Sequence, residues 1–252
     1  MAPVFGTWIR FYDMGRLMKY GVLFLILAAL CLVVAVQNDG WHWLWLWPGF
    51  SFFVVAMGYL FLGPAIFGKS SKGVLAITNQ IVLLPYLVFL WSVWHLSRLV
   101  KREPAFHFLN ERFCLARRLL PHELPDGIDH IVDLTCEFTE PMSLRCRSYN
   151  SFPILDGFVP RDGQLTKWIE HVANLNGTIL IHCAEGHGRT GLFAAGLLLY
   201  LHESDTAENA LRMVQAKRPS VRLGRLQFEV LRNLQSSFVD RDSSQSAPVS
   251  HE

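Results

Sequence analysis

Cys183 and Arg189 stand five residues apart, with Ala184-Glu185-Gly186-His187-Gly188 between them. Each has a chemical use. A thiolate is the strongest nucleophile among ordinary side chains, and a positive field favours it over the thiol. An Arg guanidinium holds two oxygens of a phosphate as a fork. Gly186 and Gly188 let the backbone fold back so that successive N–H groups point inward, forming an anion nest. The loop therefore offers a phosphate cradle, lined by residues 184–189, around a sulfur nucleophile. Thr190 follows Arg189 directly.

Such a loop must be held by its flanks. Thr178–Ile181 is a short apolar, β-branched run that predicts a buried strand. From Leu192 the run LFAAGLLLYL predicts a helix. A helix starting at the loop's end adds its positive pole to the field.

The spacing of Cys and Arg alone is weak evidence. The whole stretch TILIHCAEGHGRTG is specific, and it resembles the signature loop of the cysteine-based protein tyrosine and dual-specificity phosphatases. The resemblance covers most of residues 107–238 and implies that fold and chemistry. It assigns a proton donor to an Asp on a mobile loop upstream of the signature strand. Asp156 follows a strand-like run and matches that position, with Asp162, just before a helix, as the alternative. It assigns Gln227 to orienting the hydrolytic water, against the bland reading of a surface helix Gln. It assigns Thr190 to a hydrogen bond with the Cys183 sulfur, against helix capping. His182 reads as a hydrogen-bonding residue that shapes the loop. No metal and no cofactor are implied.

The remaining soluble part predicts strands over Phe113–Leu120, Ile128–Leu134 and Arg145–Ile154, and a helix over Gln164–Leu175. Further helices are expected from a cap at Ser204 or Asp205 through Lys217 and over Gly224–Phe238. The expected fold class is α/β, a central mixed sheet flanked by helices, preceded by an all-α transmembrane region. The expected divisions are residues 1–102, a membrane region of two to three transmembrane helices; 103–239, the catalytic domain; and 240–252, a disordered tail.

The chain has 252 residues and 17% charged residues, and the shortage of charge is concentrated in its first part. Gly21–Val36, Trp41–Gly68 and Gly73–Leu96 carry no formal charge and suit a bilayer. Tryptophans 41, 43, 45 and 47, then 91 and 94, cluster near segment ends, as interfacial anchors do. The cations conflict on orientation. Arg10, Arg16 and Lys19 place the N-terminus inside, and Lys69 and Lys72 look internal too. Three crossings would then put the catalytic domain outside, yet Arg98, Lys101 and Arg102 favour inside. The conflict is resolved if the third segment, with Asn79, Gln80 and Pro85, is re-entrant or interfacial. A cytoplasmic catalytic domain on a multi-pass integral membrane protein is the expectation, since a thiolate survives in a reducing compartment.

Net charge of +2 and the lack of a basic stripe argue against a nucleic-acid partner. Cys31, Cys114, Cys136 and Cys146 have neither disulfide nor metal spacing and read as small buried hydrophobes. The expected partner is a phosphorylated protein, or alternatively a lipid phosphate monoester. Glu185 argues against highly anionic inositol lipids. Two other classes stay open: an inactive phosphopeptide-binding module held at a membrane, and a sulfur-transfer or redox protein using Cys183.

Overall fold

The structure is a computed structural model that describes residues 6–37, 40–160 and 163–245. They form two compact units, the first from residues 1–104 and 135–156, the second from residues 105–134 and 157–252. The sequence boundary at 102/103 therefore differs from the structural one, because residues 135–156 join the apolar region.

The first unit is built on helices α1 (Gly6–Gln37), α2 (Leu46–Met57) and α3 (Ile77–Val100). Met18–Gln37, Trp41–Phe67 and Ile77–Val100 are each long and apolar enough to cross a membrane. Small residues bring α1 and α2 together: a Cβ on Gly49 would stand 3.1 Å from the Cys31 Cβ. Aromatic rings fill the space beyond. Phe24 stacks on Phe52 with centroids 6.1 Å apart and meets Tyr86 edge-on at 5.5 Å.

Pro85 lies inside α3. It has no N–H, so the Ile81 carbonyl one turn earlier loses its intrahelical donor. The Trp47 indole supplies one at 3.1 Å, and Ser51 Oγ, one turn along α2, accepts from Tyr86 N at 3.3 Å. Apolar helices tolerate proline where a neighbour re-satisfies the backbone in this way.

Residues 135–156 hold the short helix α4 (Met142–Arg145) and strand β4 (Ser148–Ile154). They are bound to the α2–α3 connection. Lys69 Nζ donates to Thr135 O at 2.9 Å and to Thr135 Oγ1 at 2.8 Å. Leu75 N donates to Thr139 Oγ1 at 3.1 Å, and Glu140 N to Gly73 O at 2.9 Å. The Trp94 ring lies 5.6 Å from that of Phe138.

In the second unit, β1 (Phe106–Phe108), β2 (Phe113–Arg117), β5 (Ile179–Cys183) and β3 (His130–Thr135) lie side by side in that order. β1 is antiparallel to β2, whereas β5 runs parallel to both its neighbours, making the sheet mixed. Every residue of β5 is buried, as a central parallel strand requires. Helices α5 (Gln164–Ala173), α6 (Gly188–Tyr200), α7 (Ala207–Lys217) and α8 (Arg225–Gln245) complete the unit, with α6 packed against α5, α7 and α8. This is the expected α/β class, a mixed sheet flanked by helices and preceded by apolar helices.

Three local expectations change. β1 is an added strand. The cap of α7 is Thr206, whose side chain accepts from Asn209 N at 3.2 Å, because Ser204 turns its hydroxyl to the Thr206 carbonyl instead. α8 runs to Gln245, into the stretch expected to be disordered, and residues 246–252 lie outside the described ones.

Candidate active site

Strand β5 ends at Cys183, and α6 begins at Gly188, four residues before Leu192. Arg189 and Thr190 therefore sit in the helix's first turn. The loop between is shaped by donors outside it. Arg118 N binds the Ala184 carbonyl at 3.2 Å. Arg218, fully buried, binds the Glu185 carbonyl through Nη2 at 3.3 Å and the Gly186 carbonyl through Nε at 2.9 Å. A peptide plane points its C=O and the next N–H in opposite directions. Three carbonyls held outward thus turn the N–H groups of residues 185, 186 and 187 the other way. Gly186 N lies 3.2 Å from the Cys183 sulfur and donates to it.

Gly186 is required for this path. Its φ is 73°, and a Cβ there would lie 2.6 Å from the Ala116 carbonyl oxygen of β2. Cys183 is 3% exposed at the base of the loop. Arg189 is buried, and its Nη1 donates to the Leu134 carbonyl at the end of β3 at 3.5 Å. Ala184, Glu185, His187 and Gly188 are half-buried, which keeps the loop's mouth open to solvent.

Thr190 is buried, and its hydroxyl makes no hydrogen bond among the described residues. The expected bond from Thr190 to the sulfur is not formed, and Gly186 N takes that place. Gln227 is buried rather than on a surface, because α8 carries it against the loop. A Cβ on Gly188 would stand 3.1 Å from its Oε1 and 3.2 Å from its Nε2. Its Oε1 also accepts from Gly224 N at 3.0 Å. His182 does not shape the loop by hydrogen bonding. The β3–β5 register sets it beside Asp133, with Nε2 3.9 Å from Oδ1 and both side chains fully buried.

The second unit thus brings together Cys183, residues 184–188, Arg189, Thr190 and Gln227. Asp156 belongs to the first unit, where it stands exposed on the turn after β4, ahead of Gly157 at φ 77°. Asp162 lies outside the described residues. All five cysteines are free. Cys31, Cys114 and Cys136 are buried as expected, but Cys146 is exposed. Burial pushes the Cys114 thiol up to about 12, against a smaller opposing pull from Arg218. Arg218 is the residue that sequence reasoning missed. Its one signal was its place before Pro219 at the end of a helical run, which says nothing of burial.

Residues 122–246 match the family model described as "PTP-SAK: Swiss Army Knife protein, DSP-PTPase phosphatase domain". Among curated proteins, the chain is similar to "Putative tyrosine phosphatase 197R" of Invertebrate iridescent virus 6. The two are 31% identical over 136 residues, 50% of this chain and 50% of that one. The chain thus spans about half the length of this curated relative. Similar solved structures include PTPMT1, with a TM-score of 0.49 and 16% identity over 55% of this chain and 99% of that one. Tk-PTP in its active form has a TM-score of 0.47 and 28% identity over 53% of this chain and 97% of that one.

Proposed function

We infer that this chain, which carries a catalytic domain of the cysteine-based protein tyrosine and dual-specificity phosphatase superfamily behind N-terminal apolar helices, is a membrane-anchored hydrolase of phosphate monoesters. The observation that carries the reading is the loop after β5. Its carbonyls are held outward by Arg118 and Arg218 around the Cys183 sulfur, with Arg189 on the first turn of α6. Inward N–H groups and a guanidinium suit the oxygens of a phosphoryl group as charge builds on them.

The reaction runs in two steps. The Cys183 thiolate attacks phosphorus in line, the bond to the leaving oxygen breaks, and Asp156 gives that oxygen a proton. Water then attacks the phosphocysteine, losing its proton to Asp156. The S–P bond breaks, inorganic phosphate departs and the thiolate returns. Gln227, packed against Gly188, orients the water. The substrates are phosphotyrosine, phosphoserine and phosphothreonine proteins. The apolar helices favour a second reading, a lipid phosphate monoester presented at the bilayer.

The test is phosphate release by the full chain in detergent micelles, without metal. Substrates are phosphotyrosine and phosphothreonine peptides, phosphoinositides and phosphatidylglycerol phosphate. Cys183→Ser is expected to abolish turnover and Asp156→Asn to lower it by about 10²–10⁴-fold. No turnover on any substrate, with phosphopeptide binding unchanged by Cys183→Ser, would replace the enzyme with a binding module.

A further inference from the structure

Between Leu83 and Trp94, helix α3 presents a buried face and an exposed one. Leu83, Leu87 and Trp94 are buried on one. Ile77, Ile81, Leu84, Val88, Leu96 and Leu99 form an exposed apolar stripe on the other. That stripe by itself suits either a bilayer-crossing helix or one lying in the membrane surface. What packs beside that stripe separates the two. Thr139 and Glu140 bond Leu75 and Gly73, just ahead of the helix. Glu137 O accepts from the Trp91 indole at 3.5 Å, and the Phe138 ring meets Trp94, more than halfway along it.

A crossing α3 would place Gly73 and Leu75 at one side of the bilayer. Trp91 lies about 21 Å along the helix from Ile77, at about 1.5 Å per residue. Residues 137–140 reach at most about 14 Å when fully extended. To touch both ends they would have to lie at hydrocarbon depth, with the buried Glu137 and Glu140 carboxylates, and the chain would have to enter and leave them through polar segments. Hydrocarbon does not accommodate such a stretch.

We propose that α3 does not cross the bilayer but lies in its surface, with the Ile77–Leu99 stripe in lipid and residues 135–140 on its other face. The chain then crosses twice, through Met18–Gln37 and Trp41–Phe67. The cations agree. Arg10, Arg16 and Lys19, then Lys69 and Lys72, then Arg98, Lys101 and Arg102 all fall on one side, and residues 37–40 hold no cation on the other. The catalytic domain shares the side of the N-terminus, and the segment leading to Asp156 rides at the headgroup plane. This topology stands whether or not the chain hydrolyses phosphate esters.

The test is thiol labelling of the full chain in sealed membrane vesicles of uniform orientation. Cys146→Ser and Cys183→Ser together remove the exposed native thiol and the loop thiol. Into that background go, singly, Lys72→Cys, Arg102→Cys and Trp41→Cys, each at an exposed position. A membrane-impermeant maleimide is added before or after permeabilisation. Lys72→Cys and Arg102→Cys are expected to respond alike, and Trp41→Cys in the opposite sense. Opposite responses from Lys72→Cys and Arg102→Cys would show that α3 crosses and overturn the proposal. A Trp41→Cys response matching the other two would overturn the two-crossing path.

Discussion

Single residues carry the loop, and Arg218 does so without touching the sulfur. Replacing it by Met leaves the Glu185 and Gly186 carbonyls without their donor in a buried setting. Each lost partner costs about 1–3 kcal/mol, and a loop displaced by about 1 Å costs about 10²-fold in turnover. Arg218→Met is therefore expected to lower both the unfolding midpoint and kcat, measured by thermal scan and phosphate release. Cys114 makes a prediction about pH. Burial raises its thiol from 9.0 to about 12, so the folded chain keeps a proton that the unfolded chain gives up. That contribution is whole below about 9 and is lost as pH rises toward about 12. Cys114→Ala should flatten the fall in stability across that interval, seen in denaturant titrations at stepped pH. The strand–turn–helix that carries Cys183 and Arg189 was legible in the sequence because an apolar run, two glycines and a second apolar run mark it. Arg218 was not, since an Arg before Pro at a helix end reads alike whether solvated or buried. The Thr190 bond failed for a similar reason: adjacency in sequence does not say which donor reaches the sulfur first.

Among elements, the long periodic ones were legible and the short ones were not. β5 and α5 follow from apolar runs and helical spacing. Phe106-His107-Phe108 is too short for any period to show, and only pairing with β2 makes it a strand. Pro85 marks α3 as irregular, but the remedy is invisible until α2 is beside it. That remedy is testable as a coupled pair. Trp47→Phe strands the Ile81 carbonyl and should cost about 1–2 kcal/mol in detergent. Pro85→Ala restores the intrahelical donor, so Trp47→Phe in that background should cost clearly less. Equal costs in both backgrounds, by thermal unfolding in micelles, would mean that the indole does not serve the proline gap.

For the whole chain, the uneven distribution of charge announced an apolar first part and a more charged second part. The grouping of residues 135–156 with the first part was not announced. It depends on bonds between residues more than sixty positions apart, such as Lys69 to Thr135, and composition holds no trace of them. Lys69→Met removes both bonds to Thr135 and should cost at least about 1.5–3 kcal/mol, the range for one hydrogen bond from a charged donor. A Lys69→Arg variant, which keeps the charge, should recover part of it in the same unfolding measurement. An ordinary membrane anchor is exchangeable: another takes its place, and the enzyme merely changes address. Here Gly73 and Lys69 hold the backbone, and Leu75 the Thr139 hydroxyl, of the segment that ends at Asp156. The apolar part is consequently no detachable appendage: cutting it away before residue 104 would leave residues 135–156 without the partners that hold them.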